Sequence, residues 1–529
     1  VKKTLETLRI HSMKTRYIYQ YFGSSIHAMT SHRKSRGHPS PGIPPCDLNS
    51  GKMIEDSRKH AWNLDSIQAT IRSDRYIQIL LLLTALGLLL RLYNLGFNSI
   101  WLDEAVTYNS SKLPFGVLWE SIKTGSDFNP PLFYMIESLM LSFGKNEITL
   151  RLIPAIAGII TIPVFYYLGK EFSDRNCGII CAALVTFSPF LIFYSQEARA
   201  YSLLLLLIAL SILCFFKGMK NGRTLQWVLF GLFSGIAFWT HFYSSIVFGV
   251  LIGLGLLGTG ISKENRLGKI KAIIYSLITF GLVTLPLLIV TAELYLVRTA
   301  SPPTFGIQGL NVISHAFTDL SGFNIIPTAL FISLFGIGLL WAFLHEKMKG
   351  VSIALPVIAI LLISYYLSYR MPFQTRFLII MIPFYFLGIA YSSRAFCQIF
   401  RKNIVVYAII ACIFLVNVPI LTEYYTVQTK ENWRDFANEF EQFTTDGDVV
   451  VLLPSYMQQP LDFYYDSTRD HTKELGASNS GDLEKFMEEH AGKRIFVIMT
   501  GDILAVEPSG DTVGWLKENA TFLGQYTGI

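Results

Sequence analysis

The chain reads as a polytopic all-α membrane protein that carries a small α/β unit at its C-terminal end. Three observations predict this. Of the 529 residues 51% are hydrophobic and only 16% are charged, with a mean hydropathy of +0.42. Apolar runs of roughly 17–24 residues, the length that crosses a bilayer, recur between Tyr76 and Tyr425. After Tyr425 that grammar stops, and short strand-like and helix-like segments alternate. A soluble domain has nowhere to put so much continuous apolar surface, which excludes that class.

Residues 1–75 read as a basic, largely disordered cytoplasmic tail. The run Ser31-His32-Arg33-Lys34-Ser35-Arg36-Gly37-His38-Pro39-Ser40-Pro41 is polar, proline-containing and without periodicity. It contains no apolar segment of the kind a signal peptide needs. Position 1 is valine, and Met53 opens a more ordinary leader into the first span, as an over-extended gene start would.

Residues 76–425 form the membrane domain. The spacing predicts eleven spans at about 76–96, 148–169, 177–195, 200–217, 225–241, 243–260, 272–294, 326–344, 351–369, 376–394 and 404–423. With the N-terminus inside, five short cytoplasmic loops carry Lys170 and Arg175; Lys217, Lys220 and Arg223; Lys263, Arg266, Lys269 and Lys271; Lys347 and Lys349; and Arg394, Arg401 and Lys402. The opposite connections beyond the second span carry only Arg199, Arg298, Arg370 and Arg376. Fourteen basic residues against four is the bias of the positive-inside rule. An odd number of spans then puts the C-terminal region outside. Pro131 to Phe143 is apolar but too short to span, and counting it would invert the bias. It is expected to lie as an interfacial helix within a long outer loop, residues 97–147, where Leu113 to Ile122 could form another.

Residues 426–529 read as an extracytoplasmic α/β domain with a mainly parallel sheet. Trp433 to Phe443, Gly481 to His490 and Asp511 to Asn519 have helical spacing, and Val449 to Leu453, Arg494 to Met499 and Thr521 to Tyr526 read as strands. The six cysteines avoid every loop placed outside, so no disulfide framework or CxxC metal pair is expected.

Chemistry gathers on the outer face. Asp103 and Glu104, in Trp101-Leu102-Asp103-Glu104, lie just beyond the first span. On a helix their side chains would diverge, leaving one to act and the other to hold a network or a cation. Tyr194-Ser195-Gln196-Glu197-Ala198-Arg199-Ala200-Tyr201 crowds polar groups into a short connection. A Glu and an Arg there are costly unless paired or facing water. His241 sits in an aromatic turn, and Arg151 at the start of the second span reads as a snorkelling residue. Arg370 and Arg376 flank the entry to the tenth span, and an arginine fork suits a phosphate. Two acids, a polar cluster, a His and several arginines on one face suit transfer from a phosphate-linked lipid. The leaving group is already anionic, so the reaction needs a base for the acceptor hydroxyl but no acid.

Trp101-Leu102-Asp103-Glu104, Asn129-Pro130-Pro131-Leu132-Phe133-Tyr134, Tyr194 to Tyr201 and Arg376-Phe377-Leu378, in that order, resemble the motifs of the protein mannosyltransferase-like family. That family is of the glycosyltransferase family 39 type, with relatives among bacterial aminoarabinose transferases. The resemblance covers roughly residues 76–425. It implies the C-type glycosyltransferase fold, a polyprenyl-phosphate sugar donor and an active site at the outer face. It implies that Asp103 is the base and that Arg376 holds the lipid phosphate. The family's usual His before Pro-Pro is Asn129 here.

The expected function is thus an inverting membrane glycosyltransferase that moves a sugar from a dolichyl- or undecaprenyl-phosphate carrier to a hydroxyl on protein, lipid or glycan. Asp103 and Glu104 form the expected catalytic pair. Gln196, Glu197, Arg199, Tyr201, His241, Arg370 and Arg376 form the expected substrate-binding set. The bilayer is an expected partner and nucleic acid is not. No cofactor is assigned, although a divalent metal is compatible with the acids. The leading rival, a transporter or flippase of lipid-linked sugars, calls for charges deep in both halves of the membrane and for repeat symmetry. Neither is visible in the sequence.

Overall fold

The computed structural model describes residues 73–261, 266–402, 404–465, 472–501 and 503–526. The basic N-terminal tail lies outside them. Among the described residues nine helices are long and apolar enough to cross a membrane, which makes this a multi-pass membrane protein. They are α1 (Arg75–Leu92), α5 (Glu147–Phe172), α7 (Tyr201–Asn221), α9 (Ser244–Ile261), α10 (Arg266–Arg298), α12 (Ile325–His345), α13 (Lys347–Leu367), the 3₁₀ turn Thr375–Met381 continuing into α14 (Ile382–Phe400), and α15 (Ile404–Thr426). Two more of the expected spans are helical but shorter: α6 (Arg175–Phe187), prolonged by a turn at Phe190–Phe193, and α8 (Thr224–Phe238). Ser188-Pro189 ends α6, because proline disfavours helix at the residue before it.

Small residues let these helices approach closely, the usual device where lipid supplies no hydrophobic drive. A Cβ at Gly338 of α12 would stand 1.9 Å from the Gly388 carbonyl of α14, so no larger residue fits that crossing. At Gly158 of α5 a Cβ would stand 2.3 Å from Arg91 Nε, and the missing side chain is what admits a buried guanidinium from α1.

Between α1 and α5 the chain makes three short helices: α2 (Leu102–Ser111), α3 (Phe115–Lys123) and α4 (Leu132–Met140), the last extended by a 3₁₀ turn at Leu141–Phe143. The two expected interfacial helices are α3 and α4. The Asp103–Glu104 pair, expected in a loop, sits in the first turn of α2, where acids complement the helix dipole. A further helix, α11 (Asn311–Leu320), lies between α10 and α12.

After α15, α16 (Trp433–Phe440), α17 (Gln458–Tyr464), α18 (Ser480–Glu489) and α19 (Asp511–Asn519) pack around a three-stranded sheet. Its strands are β1 (Val449–Leu453), β2 (Lys473–Gly476) and β3 (Ile495–Met499), all parallel in the order β2-β1-β3. Val449 pairs with Lys473 on one side and Ile495 on the other. The central β1 is fully buried, which its unbroken Val-Val-Val-Leu-Leu run requires. Thr521 to Tyr526 is not a strand: it runs as exposed irregular chain, with Phe522 80% and Leu523 77% exposed. The third strand is instead Lys473-Glu474-Leu475-Gly476, an edge strand too polar to announce itself.

Candidate active site

A compact charged centre forms where the first turn of α2 meets the connection 194–200, the 3₁₀ turn before α14 and the segment after α15. Successive residues on a helix are about 100° apart, so Asp103 and Glu104 point to different partners.

Glu104 is completely enclosed. Arg151, at the start of α5, grips it as a fork: Nε donates to Oε1 at 2.8 Å and Nη2 to Oε2 at 2.7 Å. The Ala198 backbone N–H donates to Oε1 at 2.8 Å and Lys430 Nζ to Oε2 at 3.0 Å. Burial alone would raise the Glu104 carboxyl, but Arg151 and Lys430 outweigh it and hold it down at about 2. Arg151 spends its remaining donors on the carbonyls of Leu95, Asn98 and Ser99 at 2.7–3.0 Å, fixing the turn between α1 and α2. It is 1% exposed, so it is a buried clamp and not a snorkelling anchor.

Asp103 keeps 20% of its side chain exposed, and Arg376 Nη1 lies 2.7 Å from its Oδ2. Arg199 approaches the same oxygen to 4.0 Å and donates to the Asp103 carbonyl at 3.2 Å and Thr107 Oγ1 at 3.4 Å. Burial would raise the Asp103 carboxyl, yet Arg376, Arg199 and Lys430 together keep it below the usual range. The Arg376 guanidinium lies between the rings of Trp101 and Tyr201, 5.7 and 5.9 Å from their centroids.

Beside Arg199 a small cavity is lined by Thr107, Asn129, Phe133, Tyr134, Tyr201 and His241. The Asn129 side chain donates to Asp127 Oδ1 at 2.8 Å. His241 stacks among Tyr201, Tyr243 and Phe377 at 5.3–5.9 Å. Burial, with Arg199 and Arg376 nearby, pushes its imidazole down to about 3. Its Nδ1 accepts the Tyr243 backbone N–H at 3.3 Å, so the neutral ring carries its proton on Nε2 as a donor.

The structure therefore brings Asp103, Arg199, Tyr201, His241 and Arg376 together. Glu197 belongs to the Glu104 side of the centre, 3.9 Å from Lys430 Nζ, with no hydrogen bond to either oxygen among the described residues. Glu197 and Arg199, two residues apart, face different partners. Gln196 is a latch: its Nε2 donates to the carbonyls of Leu90, Arg91 and Tyr93 at 2.8–3.2 Å, and Tyr424 OH donates to its Oε1 at 2.5 Å. Arg370 is exposed and makes no ion pair with Asp103 or Glu104. Sequence reasoning missed Lys430 altogether.

Among the described residues no three His, Cys, Asp or Glu side chains converge as a metal cage. At Asp103 a divalent ion would meet two guanidiniums. The residues do not fit a metal there.

Glu137 of α4 is a buried acid outside this network: it is 0% exposed, neither oxygen has a hydrogen bond among the described residues, and burial pushes it from 4.5 up to about 9, Glu104 adding to the shift. The folded protein thus keeps a proton that the unfolded chain releases near 4.5. Stability from that protonated form is complete below the lower value and is lost as pH rises toward the upper one. Glu137→Gln, neutral throughout, should match the parent's unfolding temperature at pH 5 and exceed it by several degrees at pH 8. Thermal unfolding in nanodiscs reads this, and parallel parent and variant curves would disprove it.

Solved structures share the architecture. The apo oligosaccharyltransferase of Archaeoglobus fulgidus aligns with a TM-score of 0.56 at 11% identity, over 82% of this chain and 71% of that one. ArnT from Cupriavidus metallidurans bound to undecaprenyl phosphate aligns with a TM-score of 0.55 at 13% identity, over 85% of this chain and 96% of its own. The fold is that of the C-type membrane glycosyltransferases. Residues 128–289 match the family described as dolichyl-phosphate-mannose-protein mannosyltransferase. A 138-residue stretch is 28% identical to the dolichyl-diphosphooligosaccharide–protein glycosyltransferase subunit stt3 of Schizosaccharomyces pombe. That match takes in 25% of this chain and only 17% of the curated relative's length. The archaeal AglB of A. fulgidus, in complex with an inhibitory peptide and a dolichol-phosphate, aligns with a TM-score of 0.52 at 11% identity, over 82% and 71% of the two chains.

Proposed function

We propose that this protein is an inverting glycosyltransferase that moves a sugar from a polyprenyl-phosphate carrier to a hydroxyl acceptor, with Asp103 as general base. The observation that carries this reading is the Asp103–Arg376 pair. An aspartate just past the first span shares its carboxylate with an arginine at the mouth of a later one, 2.7 Å apart and partly exposed. Support comes from C-type neighbours whose structures hold undecaprenyl phosphate and a dolichol-phosphate.

The acceptor oxygen attacks the anomeric carbon, and the bond from that carbon to the phosphate oxygen breaks with its electron pair leaving on the phosphate. Asp103 takes the hydroxyl proton. Arg376 and Arg199 stabilise the charge that grows on the departing phosphate, so no protein acid is needed. A donor phosphate also competes for the guanidinium that pairs with Asp103. Its arrival frees the carboxylate and makes it a better base at the moment one is required. Glu104, enclosed by Arg151 and Lys430, acts as a positioning residue and does not touch substrate.

Arg376→Ala should weaken donor binding at least tenfold, the loss of one charge-assisted pair. Arg376→Lys should recover only part, since an ammonium cannot make the fork. Binding of dolichyl-phosphate mannose and undecaprenyl-phosphate-linked hexoses to nanodisc-held protein reads both. Unchanged affinity for Arg376→Ala would move the phosphate site elsewhere. The activity itself is tested by mass spectrometry of glycans and glycolipids from cells with and without the protein. Identical profiles would count against transfer.

Orientation follows the basic-residue bias. Residues 1–75 are proposed to be a cytoplasmic tail, 76–425 the membrane domain and 426–529 an extracytoplasmic domain, with the site on the outer face. A reporter fused after Lys271 should therefore report cytoplasm and one after Ser480 the exterior. Finding both in one compartment would reject this topology.

A further inference from the structure

Lys430 lies on the segment that joins α15 to the sheet-bearing C-terminal unit, outside every motif named above, yet only 4% of its side chain is exposed. Its ammonium stands 3.0 Å from Glu104 Oε2, 3.9 Å from Glu197 Oε2 and 4.4 Å from the centre of the Phe193 ring. Burying a flexible cation is costly unless its partners are fixed, and here they are. The Thr429 backbone N–H donates to Asn98 Oδ1 at 3.0 Å, and Ser99 Oγ donates to the Glu431 carbonyl. Arg434 donates to the carbonyls of Gly96 and Phe97 at 3.0 and 2.7 Å, and to Glu147 Oε1 at 2.9 Å. The chain on both sides of Lys430 is thus pinned to residues 96–99, immediately before α2. Glu197 makes no hydrogen bond through either carboxyl oxygen among the described residues; burial pushes its carboxyl up to about 8, and Lys430, 3.9 Å away, is the first of the cations that oppose that shift, ahead of Arg376.

We propose that Lys430 is a positioning residue for the transfer site: its ammonium joins Glu104 to Glu197 and so sets the direction in which α2 presents Asp103. The inference rests on the reading of Asp103 as the base. Asp103 is faced by Arg376 from the 3₁₀ turn, Arg199 and Glu197 from the 194–200 connection, Glu104 from its own helix and Lys430 from the tail, while Tyr201 at the start of α7 lies against the two arginines. Lys430 therefore acts twice, through the geometry of Glu104 and through its field at Asp103. Loss of its charge makes Asp103 easier to protonate. Activity must then fail at a higher pH on the acid side.

The test uses the full chain in nanodiscs with dolichyl-phosphate mannose as donor, release of dolichyl phosphate as readout, and kcat and KM measured from pH 3 to 8. Lys430→Met should lower kcat about tenfold with little change in donor KM, and move the acid limb of kcat up by about half a unit to one unit. Lys430→Arg, which keeps the charge, should restore the limb. Adding Glu197→Gln to Lys430→Met removes the stranded carboxyl and should restore thermal stability while the limb stays shifted. A parental limb and rate in that double variant would reduce Lys430 to a folding role and overturn the proposal. Asp103→Asn, run alongside, separates the two readings. Parental turnover there defeats the base assignment and the Lys430 inference with it. An inactive Asp103→Asn beside an unshifted double variant defeats the Lys430 inference alone.

Discussion

Asp103→Asn should lower turnover by about 10²–10⁴-fold, the usual worth of a positioned general base. The amide keeps the shape of the carboxylate and leaves an oxygen facing the Arg376 guanidinium, whose Nη1 lies 2.7 Å from Oδ2. Donor affinity should therefore stay near the parent's, or rise slightly, because Arg376 is released from an ionic partner to meet the phosphate. Single-turnover transfer and a separate binding measurement distinguish the two effects. Parental transfer by purified Asp103→Asn would remove the mechanism, since the remaining carboxylates of the centre are enclosed.

Glu104→Gln should be the most damaging change to stability. A carboxyl in an exposed loop could lose its charge cheaply, and the sequence alone points that way. Burial reverses the expectation. Glu104 is 0% exposed and answers both Arg151 and Lys430. Neutralising it strands two buried cations, at a cost on the order of 3–5 kcal/mol. Thermal unfolding of the variant should show a large drop, and recovery from membranes should fall with it. The sign of the pH dependence is also fixed. With the folded carboxyl held at about 2 against an ordinary 4.5, its contribution is present above the higher value and disappears as pH falls through the lower. An unfolding temperature equal to the parent's would contradict the enclosed ion-pair cluster.

The membrane helices were legible because their signal is local: a run long enough to cross lipid needs no partner to be recognised. The parallel sheet was legible at Val449–Leu453 for the same reason, since a strand buried on both faces must be apolar throughout; Ile495–Met499 was legible as an apolar run, although it is a half-buried edge strand. Helix α2 was not. Leu102-Asp103-Glu104-Ala105-Val106-Thr107-Tyr108-Asn109-Ser110-Ser111 is short and mixed, and what holds it is tertiary: Ala105 and Tyr108 pack with Ile100, Leu150, Ala198 and Phe463. In the site, residue types were readable and pairings were not. Asp103 and Arg376 were each visible as chemistry, but only the fold sets their charges against each other. Arg151 looked like an anchor because its partner lies 47 residues earlier. Gln196 looked like a substrate contact because nothing in its neighbourhood shows that four groups of the protein already use its amide.

The grip of residues 429–434 on residues 96–104 has a consequence for the order of manufacture. The chain is made from its N-terminal end, and Lys430 reaches Glu104 across a separation of 326 residues. Every span is therefore synthesised before the last ion pair of the centre can close. A ribosome-bound or truncated product that ends in α15 has the nine spans found among the described residues and both acids, but leaves Glu104 short of one cation and Glu197 short of its nearest one. The charged centre is therefore complete only once residues 429–434 have followed α15, and a copy that stops short of them is expected to turn over no faster than Lys430→Met.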